Sequence, residues 1–291
     1  MRITAFLTTL AMLAFAANSL LARLALAGPA IDAPSYTVIR LVSGAMALGL
    51  ILRWRRGSGG GLPGNWPSAL ALFVYAIAFS LAYLRLGAAV GALVLFAAVQ
   101  CTMISWGLWR KDRPNTGELA GLAIAFGAFV YLVSPGLDKP DLPGSALMAL
   151  SGIAWGVYSL RGRGARDPLG DTAGNFIRSA AFCVPLAAIA LLDHEVTARG
   201  AVLAIASGVV ASGLGYAIWY RALPGLTSTQ AAIVQLTVPV IAALAAVALL
   251  DEPVTVRLVI STILVLGGVA LAILSRRSVK PVEAPQGDGR I

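Results

Sequence analysis

The chain has 291 residues, 58% of them apolar and 12% charged, and 22 Lys and Arg against 13 Asp and Glu give a formal net charge of +9. The charged share is about half that of an ordinary soluble domain, which excludes a water-soluble globular fold and marks a membrane protein. The basic excess contains no stripe of cations interleaved with aromatics, so no nucleic-acid partner is expected and the charges read as topology signals.

Apolar runs predict ten spans, at residues 3–26, 34–53, 66–85, 88–109, 116–134, 143–161, 172–192, 200–221, 227–250 and 254–275. At about 1.5 Å per residue, each can cross a hydrocarbon core of roughly 30 Å. None alternates like a barrel strand, and backbone in lipid must satisfy itself, so the spans are helices. Between them, 53–65 is rich in glycine, 135–143 in proline and aspartate, and 161–171 mixes Arg, Gly and Asp. The polar stretch 276–291 reads as a disordered cytoplasmic tail. The run after Met1-Arg2 is longer than the core of a signal peptide and its residues recur later, so it reads as a span. Fifteen Lys and Arg fall in the tails and even-numbered loops and five on the odd-numbered side, with Arg40 and Arg178 inside spans. That bias places both termini in the cytoplasm.

The chain repeats itself. Tyr83, an apolar helix and a break ending Asp112-Arg113-Pro114 return as Tyr220, a second apolar helix and Asp251-Glu252-Pro253, with Asp112 and Asp251 139 positions apart. Phe15, Ser19 and Arg23 align with Trp155, Ser159 and Arg163, Arg40 with Arg178, and Phe79 with Tyr216. Five spans per copy is an odd number, so the copies enter the bilayer from opposite sides. The expected fold is an all-α membrane protein of ten transmembrane helices built from two inverted five-helix repeats, 1–137 and 143–275, with the substrate site near the midplane between them.

This pattern resembles the EamA-type family of the drug/metabolite transporter superfamily. The residues that carry the likeness are an intramembrane Arg in the second span of each copy, a Tyr closing the third, and a Pro-started fifth span after a charged break. The second copy is the closer match, with Tyr220-Arg221-Ala222-Leu223 and Pro239. The first departs, with Gln100 opposite Pro239 and Asp112-Arg113 where the family usually carries Glu. The resemblance covers about residues 3–275 and implies an exporter of small metabolites whose central cavity is lined mainly by helices 1, 3, 4, 6, 8 and 9. Known members include exporters of amino acids, among them aromatic ones.

Intramembrane charge is costly and marks function by default. All thirteen carboxylates fall in loops, tails or first helical turns, and His194 stands in a loop, so facilitated transport or exchange is favoured over a proton relay. Glu118, at a helix end, keeps a proton site open. One of Arg40 and Arg178 could meet a substrate carboxylate, or both could tie helix ends to backbone carbonyls; their equivalence in the repeats favours the structural role. The aromatic candidates for substrate contact are Phe15, Phe79, Tyr83, Phe96, Trp155, Tyr158, Tyr216 and Trp219, and Phe79 and Tyr83 share a helical face. Trp54, Trp66, Trp106 and Trp109 fit an interfacial belt better. Among polar residues at mid-depth, Asn18, Ser19, Gln100, Ser159 and Gln235 are candidates, the amides being the costlier to leave unpaired. Pro185 and Pro239 should kink their spans, leaving helix four straighter than helix nine, so that hairpins 3–4 and 8–9 can rock.

The residues carry no catalytic constellation, no metal ligands and no cofactor fingerprint; Cys101 and Cys183 lie inside apolar runs as packing residues. The expected function is export of small metabolites, foremost aromatic or hydrophobic amino acids, from a bacterial inner membrane by alternating access. Proton-coupled export of other amphiphiles or drugs, or a passive channel, are the alternatives. The lipid bilayer and a small-molecule substrate are the expected partners, with the chain a monomer or weak dimer.

Overall fold

The computed structural model describes residues 2–26, 28–56, 61–86, 88–111, 113–134, 141–190, 196–250 and 254–275. The expected tail, the loop acids Asp112, Asp251 and Glu252, and His194 and Pro253 lie outside them. Helices run α1 (Arg2–Leu26), α2 (Ala33–Arg56), α3 (Trp66–Tyr83), α4 (Ala88–Trp109), α5 (Thr116–Val133), α6 (Leu142–Gly162), α7 (Pro168–Ala190), α8 (Ala198–Ala206), α9 (Gly215–Ala222), α10 (Ser228–Val234), α11 (Thr237–Leu250) and α12 (Val256–Leu274).

Polar residues before the apolar runs start several of these helices. Asn65 accepts from Ser68 N, Asp141 from Gly144 N, Thr197 from Gly200 N and Thr255 from Leu258 N. Asn115 with Glu118, and Thr227 with Gln230, close reciprocal capping boxes at α5 and α10. Each cap satisfies amides that would otherwise be orphaned at a helix start.

Among the described residues, eight helical stretches are long and apolar enough to cross a membrane. The other two long helices, α6 with 21 residues and α7 with 23, match them in length but not in apolarity. Their polar groups turn inward: Ser151 of α6 donates to Tyr75 O at 3.0 Å, and Asn175 of α7 accepts from Asn65 N at 3.0 Å. Large apolar side chains such as Ile263, Leu266 and Leu274 stay exposed, as a hydrocarbon solvent allows. Trp54, Trp66 and Trp109 are exposed near span ends, where an aromatic belt sits.

Two expected spans are not regular. Residues 227–250 divide into α10 and α11 at Gln235-Leu236, because Pro239 has no N–H for Gln235 O and its ring crowds that carbonyl. Residues 200–221 contain a π-helical stretch, Ser207–Leu214, between α8 and α9. Its i→i+5 bonding brings Ser207 and Ser212 to one side, where both hydroxyls reach Asn18 Oδ1, at 2.6 and 3.4 Å. An unbroken α-helix would aim residues five apart in different directions.

In the packing, α2 lies on α7 and α5 on α12; α3 and α4 both flank α6, while α9 and α11 flank α1, and α4 meets α10. Close approach depends on glycine. A Cβ on Gly208 would stand 2.1 Å from Arg40 O, and one on Gly44 would stand 2.8 Å from Gly208 O, so α2 and the π stretch touch backbone to backbone. Gly208→Ala is therefore expected to cost about 2 kcal/mol or more through overpacking. A lowered thermal midpoint in detergent checks this; an unchanged midpoint would mean the helices separate freely.

Candidate functional site

A central cavity is lined by Phe15, Asn18 and Ser19 of α1, Tyr75 and Phe79 of α3, Leu95, Phe96 and Val99 of α4, Trp155 of α6, Tyr216 of α9, and Gln235 and Val238 at the α10–α11 break. It encloses about 410 Å³ of empty space, counting its open mouth. Among the described residues no carboxylate lines it. Phe15 packs edge-on to Trp155 at 5.2 Å and to Tyr216 at 5.6 Å, while Trp155 lies 4.9 Å from Tyr75 and 4.7 Å from Tyr216, centroid to centroid. Such a wall offers π faces and edges to an apolar or aromatic group.

The polar groups of the wall are held by fixed partners. Trp155 Nε1 donates to Gln235 Oε1 at 2.6 Å, and Gln235 Nε2 donates to Ala231 O at 2.8 Å. Because α10 stops at this residue, its side chain ties the broken helix to α6. Asn18 Oδ1 is occupied by Ser207 and Ser212 from the π stretch.

Of the expected contact residues, Phe15, Asn18, Ser19, Phe79, Phe96, Trp155, Tyr216 and Gln235 come together on the cavity wall, and Tyr83, Gln100, Tyr158, Ser159 and Trp219 do not. Tyr83 packs 4.7 Å from Phe79, beyond the lining ring. Gln100 Nε2 donates to Ala232 O at 2.9 Å, joining α4 to α10, and its Oε1 is buried without a partner among the described residues. Trp219 Nε1 donates to Ser159 Oγ at 3.1 Å, and Tyr220 donates to Tyr158 O at 3.0 Å. This second layer of rings packs behind the cavity wall, with Tyr158 stacked on Trp155 at 5.7 Å. Tyr75 was missed by the sequence reading, although it precedes Phe79 by four and so shares its helical face.

Polar clamps continue from that ring layer toward the even-numbered loops. Arg161 donates to Ser68 Oγ and Asn65 Oδ1, both at 2.9 Å; Arg163 donates to Leu226 O at 2.8 Å and to Ser228 Oγ. Thr227 donates to the buried carboxylate of Glu118 at 3.2 Å, whose other oxygen accepts from Asn115 N in the capping box. Together these bonds join α3, α5, α6 and α10 at one end of the molecule.

The two intramembrane arginines differ. Arg178 donates to backbone carbonyls, Leu62 O at 3.0 Å, Gly174 O at 3.1 Å and Pro63 O, so it fastens the 61–65 loop to α7. Arg40 is 1% exposed and among the described residues reaches only hydroxyls: Ser212 Oγ at 2.9 Å, Tyr216 Oη at 2.7 Å and Tyr75 Oη at 3.4 Å. Its guanidinium also lies 5.4 Å from the Tyr75 ring centroid. Equivalence in sequence therefore does not carry over to equivalent surroundings.

Residues 142–274 match the model of the EamA-like transporter family. An uncharacterized protein of Pseudomonas aeruginosa is 51% identical over 275 residues, covering 94% of this chain and 96% of that protein. An uncharacterized transporter of Archaeoglobus fulgidus is 28% identical over 231 residues, covering 75% of this chain and 80% of that one. A protein crystal structure superposes with a TM-score of 0.79 at 21% identity, covering 95% of this chain and 99% of the other, a likeness of fold.

Proposed function

The chain belongs to the EamA-like transporter family, and from that premise we propose that it exports small amphiphilic metabolites, foremost aromatic or hydrophobic amino acids, across a bacterial inner membrane. The observation that carries this reading is the cavity itself: rings from five helices, a few anchored polar groups and, among the described residues, no carboxylate. Binding sites between helices are built in this way, with an apolar wall for bulk and a few placed polar groups for orientation.

We further propose two inverted five-helix repeats, 1–137 and 143–275, with both termini cytoplasmic. The packing supports this: exchanging the halves maps α2 on α7 and α5 on α12 onto themselves, and turns α3 and α4 flanking α6 into α9 and α11 flanking α1. In that orientation the ring layer and clamps around Tyr158, Arg161 and Arg163 seal the cytoplasmic side. Alternating access then requires these bonds to break as the opposite side closes, with the Gln235 break as a hinge. Labelling of engineered terminal cysteines should find both on the cytoplasmic face; termini on opposite faces would dissolve the repeat.

Facilitated flux is the reading that a wall without carboxylates among the described residues supports. Labelled phenylalanine in proteoliposomes should move down its own gradient with or without a pH gradient. A strict requirement for the pH gradient would replace this with a proton-coupled reading, for which the buried Glu118 is the specific candidate; Glu118→Gln should then abolish the pH dependence.

A further inference from the structure

We infer that the cavity recognises a singly charged anionic oxygen, a carboxylate, through a hydrogen-bond chain that begins at the buried guanidinium of Arg40 and ends on the Tyr75 and Tyr216 hydroxyls of the cavity wall. This rests on the transport reading and narrows its substrate class to carboxylates. A cation buried among helices needs a counter-charge or a full set of acceptors. Arg40 has neither among the described residues: its partners there are neutral hydroxyls, and its Nη1 is buried without a hydrogen-bond partner. Arg178, by contrast, is supplied with backbone carbonyls.

The hydroxyls transmit that charge to the cavity. Nη2 donates to both tyrosine oxygens, and Tyr216 donates to Tyr75 at 3.2 Å. Those bonds use one of the two tyrosine protons, which leaves the other to donate to a ligand. Both tyrosines line the cavity while Arg40 stands behind them. Donors polarised by a neighbouring cation bind anionic oxygen more strongly than neutral ones do. The ammonium end of an amino acid finds less: Asn18 Oδ1 is taken by two serines and Gln235 Oε1 by Trp155, which leaves the Ser19 hydroxyl oxygen and the ring faces. One guanidinium matches one negative charge, so a dianion would enter undercompensated. The carboxylate is therefore the required group and the ammonium a dispensable one.

The test is competition against uptake of labelled phenylalanine into proteoliposomes by 3-phenylpropionate, which lacks the ammonium, and by phenethylamine, which lacks the carboxylate. In the native protein 3-phenylpropionate should compete at least about tenfold better. Tyr75→Phe keeps the ring and removes the hydroxyl; it should narrow the ratio to about twofold or less at an unchanged thermal midpoint, and Tyr216→Phe serves if that variant misfolds. Equal competition in the native protein, or a ratio that survives both substitutions, overturns the inference while leaving transport intact. Failure of phenylalanine uptake together with no quenching of intrinsic tryptophan fluorescence by any of the three compounds overturns the transport reading, and the inference falls with it.

Discussion

Trp155→Ala should lower phenylalanine flux in proteoliposomes by about a hundredfold, the scale expected when a buried tryptophan at the centre of a contact site is truncated. The indole packs against Phe15, Tyr75, Tyr158 and Tyr216 and holds Gln235 Oε1 at 2.6 Å. Its loss removes the ring that joins both sides of the wall and releases the side chain at the broken helix. Trp155→Phe separates the two contributions. It keeps a ring but leaves Gln235 Oε1 without its donor, a penalty of roughly 1–3 kcal/mol, so the flux should fall about tenfold. Flux unaltered in both variants would remove the cavity from the transport path.

The second large effect is on assembly. Gly152→Val should abolish recovery of monodisperse protein, because a Cβ at this position would stand 2.5 Å from Leu95 O and 2.7 Å from Ala98 Cβ. Neither atom can yield by a rotamer change, since one is backbone and the other begins its side chain. Pushing α4 away from α6 also displaces Leu95 and Phe96, which line the cavity. The cost exceeds the roughly 1–3 kcal/mol of ordinary overpacking. Gly127→Ala and Gly267→Ala are the controls: a Cβ there meets nothing within 4 Å, and alanine in a helix is favoured by about 1 kcal/mol. Gly152→Val protein that purifies and melts like these controls would show that α4 and α6 are not closely packed in solution.

Much of the architecture could be read in advance from residues whose physics is local. The close contacts at Gly152 and Gly156 follow the small-residue spacing expected where helices touch in lipid. The helix starts at Asn115 and Thr227 follow from side chains that can reach an amide three residues on. Trp155 and Gln235 were legible as site candidates because a deep indole N–H or amide is expensive to leave unpaired in hydrocarbon, and Phe79 because it lies on a helix that the family resemblance assigns to the cavity. The hard cases were residues whose role depends on a neighbour distant in the chain. Trp219 and Ser159 bond each other, so their shared depth and polarity mark a ring layer beside the cavity and not its wall. The π stretch left no clear signal, since widening a helix by one residue per turn leaves its apolar composition unchanged, yet it is what turns Ser207 and Ser212 toward Asn18.

The sequence by itself determined that this is a multi-pass helical membrane protein, because apolar runs of span length permit nothing else in a medium where backbone must bond to itself. It also determined where most helices begin, that Pro239 disturbs the ninth expected span, and that the family is EamA-like; that the disturbance is a break at Gln235, while α7 runs on through Pro185, came from the structure. Only the tertiary structure decided which face of each helix turns inward, and therefore that Arg178 meets carbonyls while Arg40 meets two tyrosines at the cavity wall. The reason is that lipid and protein interior are equally apolar. Hydropathy separates membrane from water but cannot separate a lipid-facing side chain from a buried one; contacts between helices far apart in sequence make that choice.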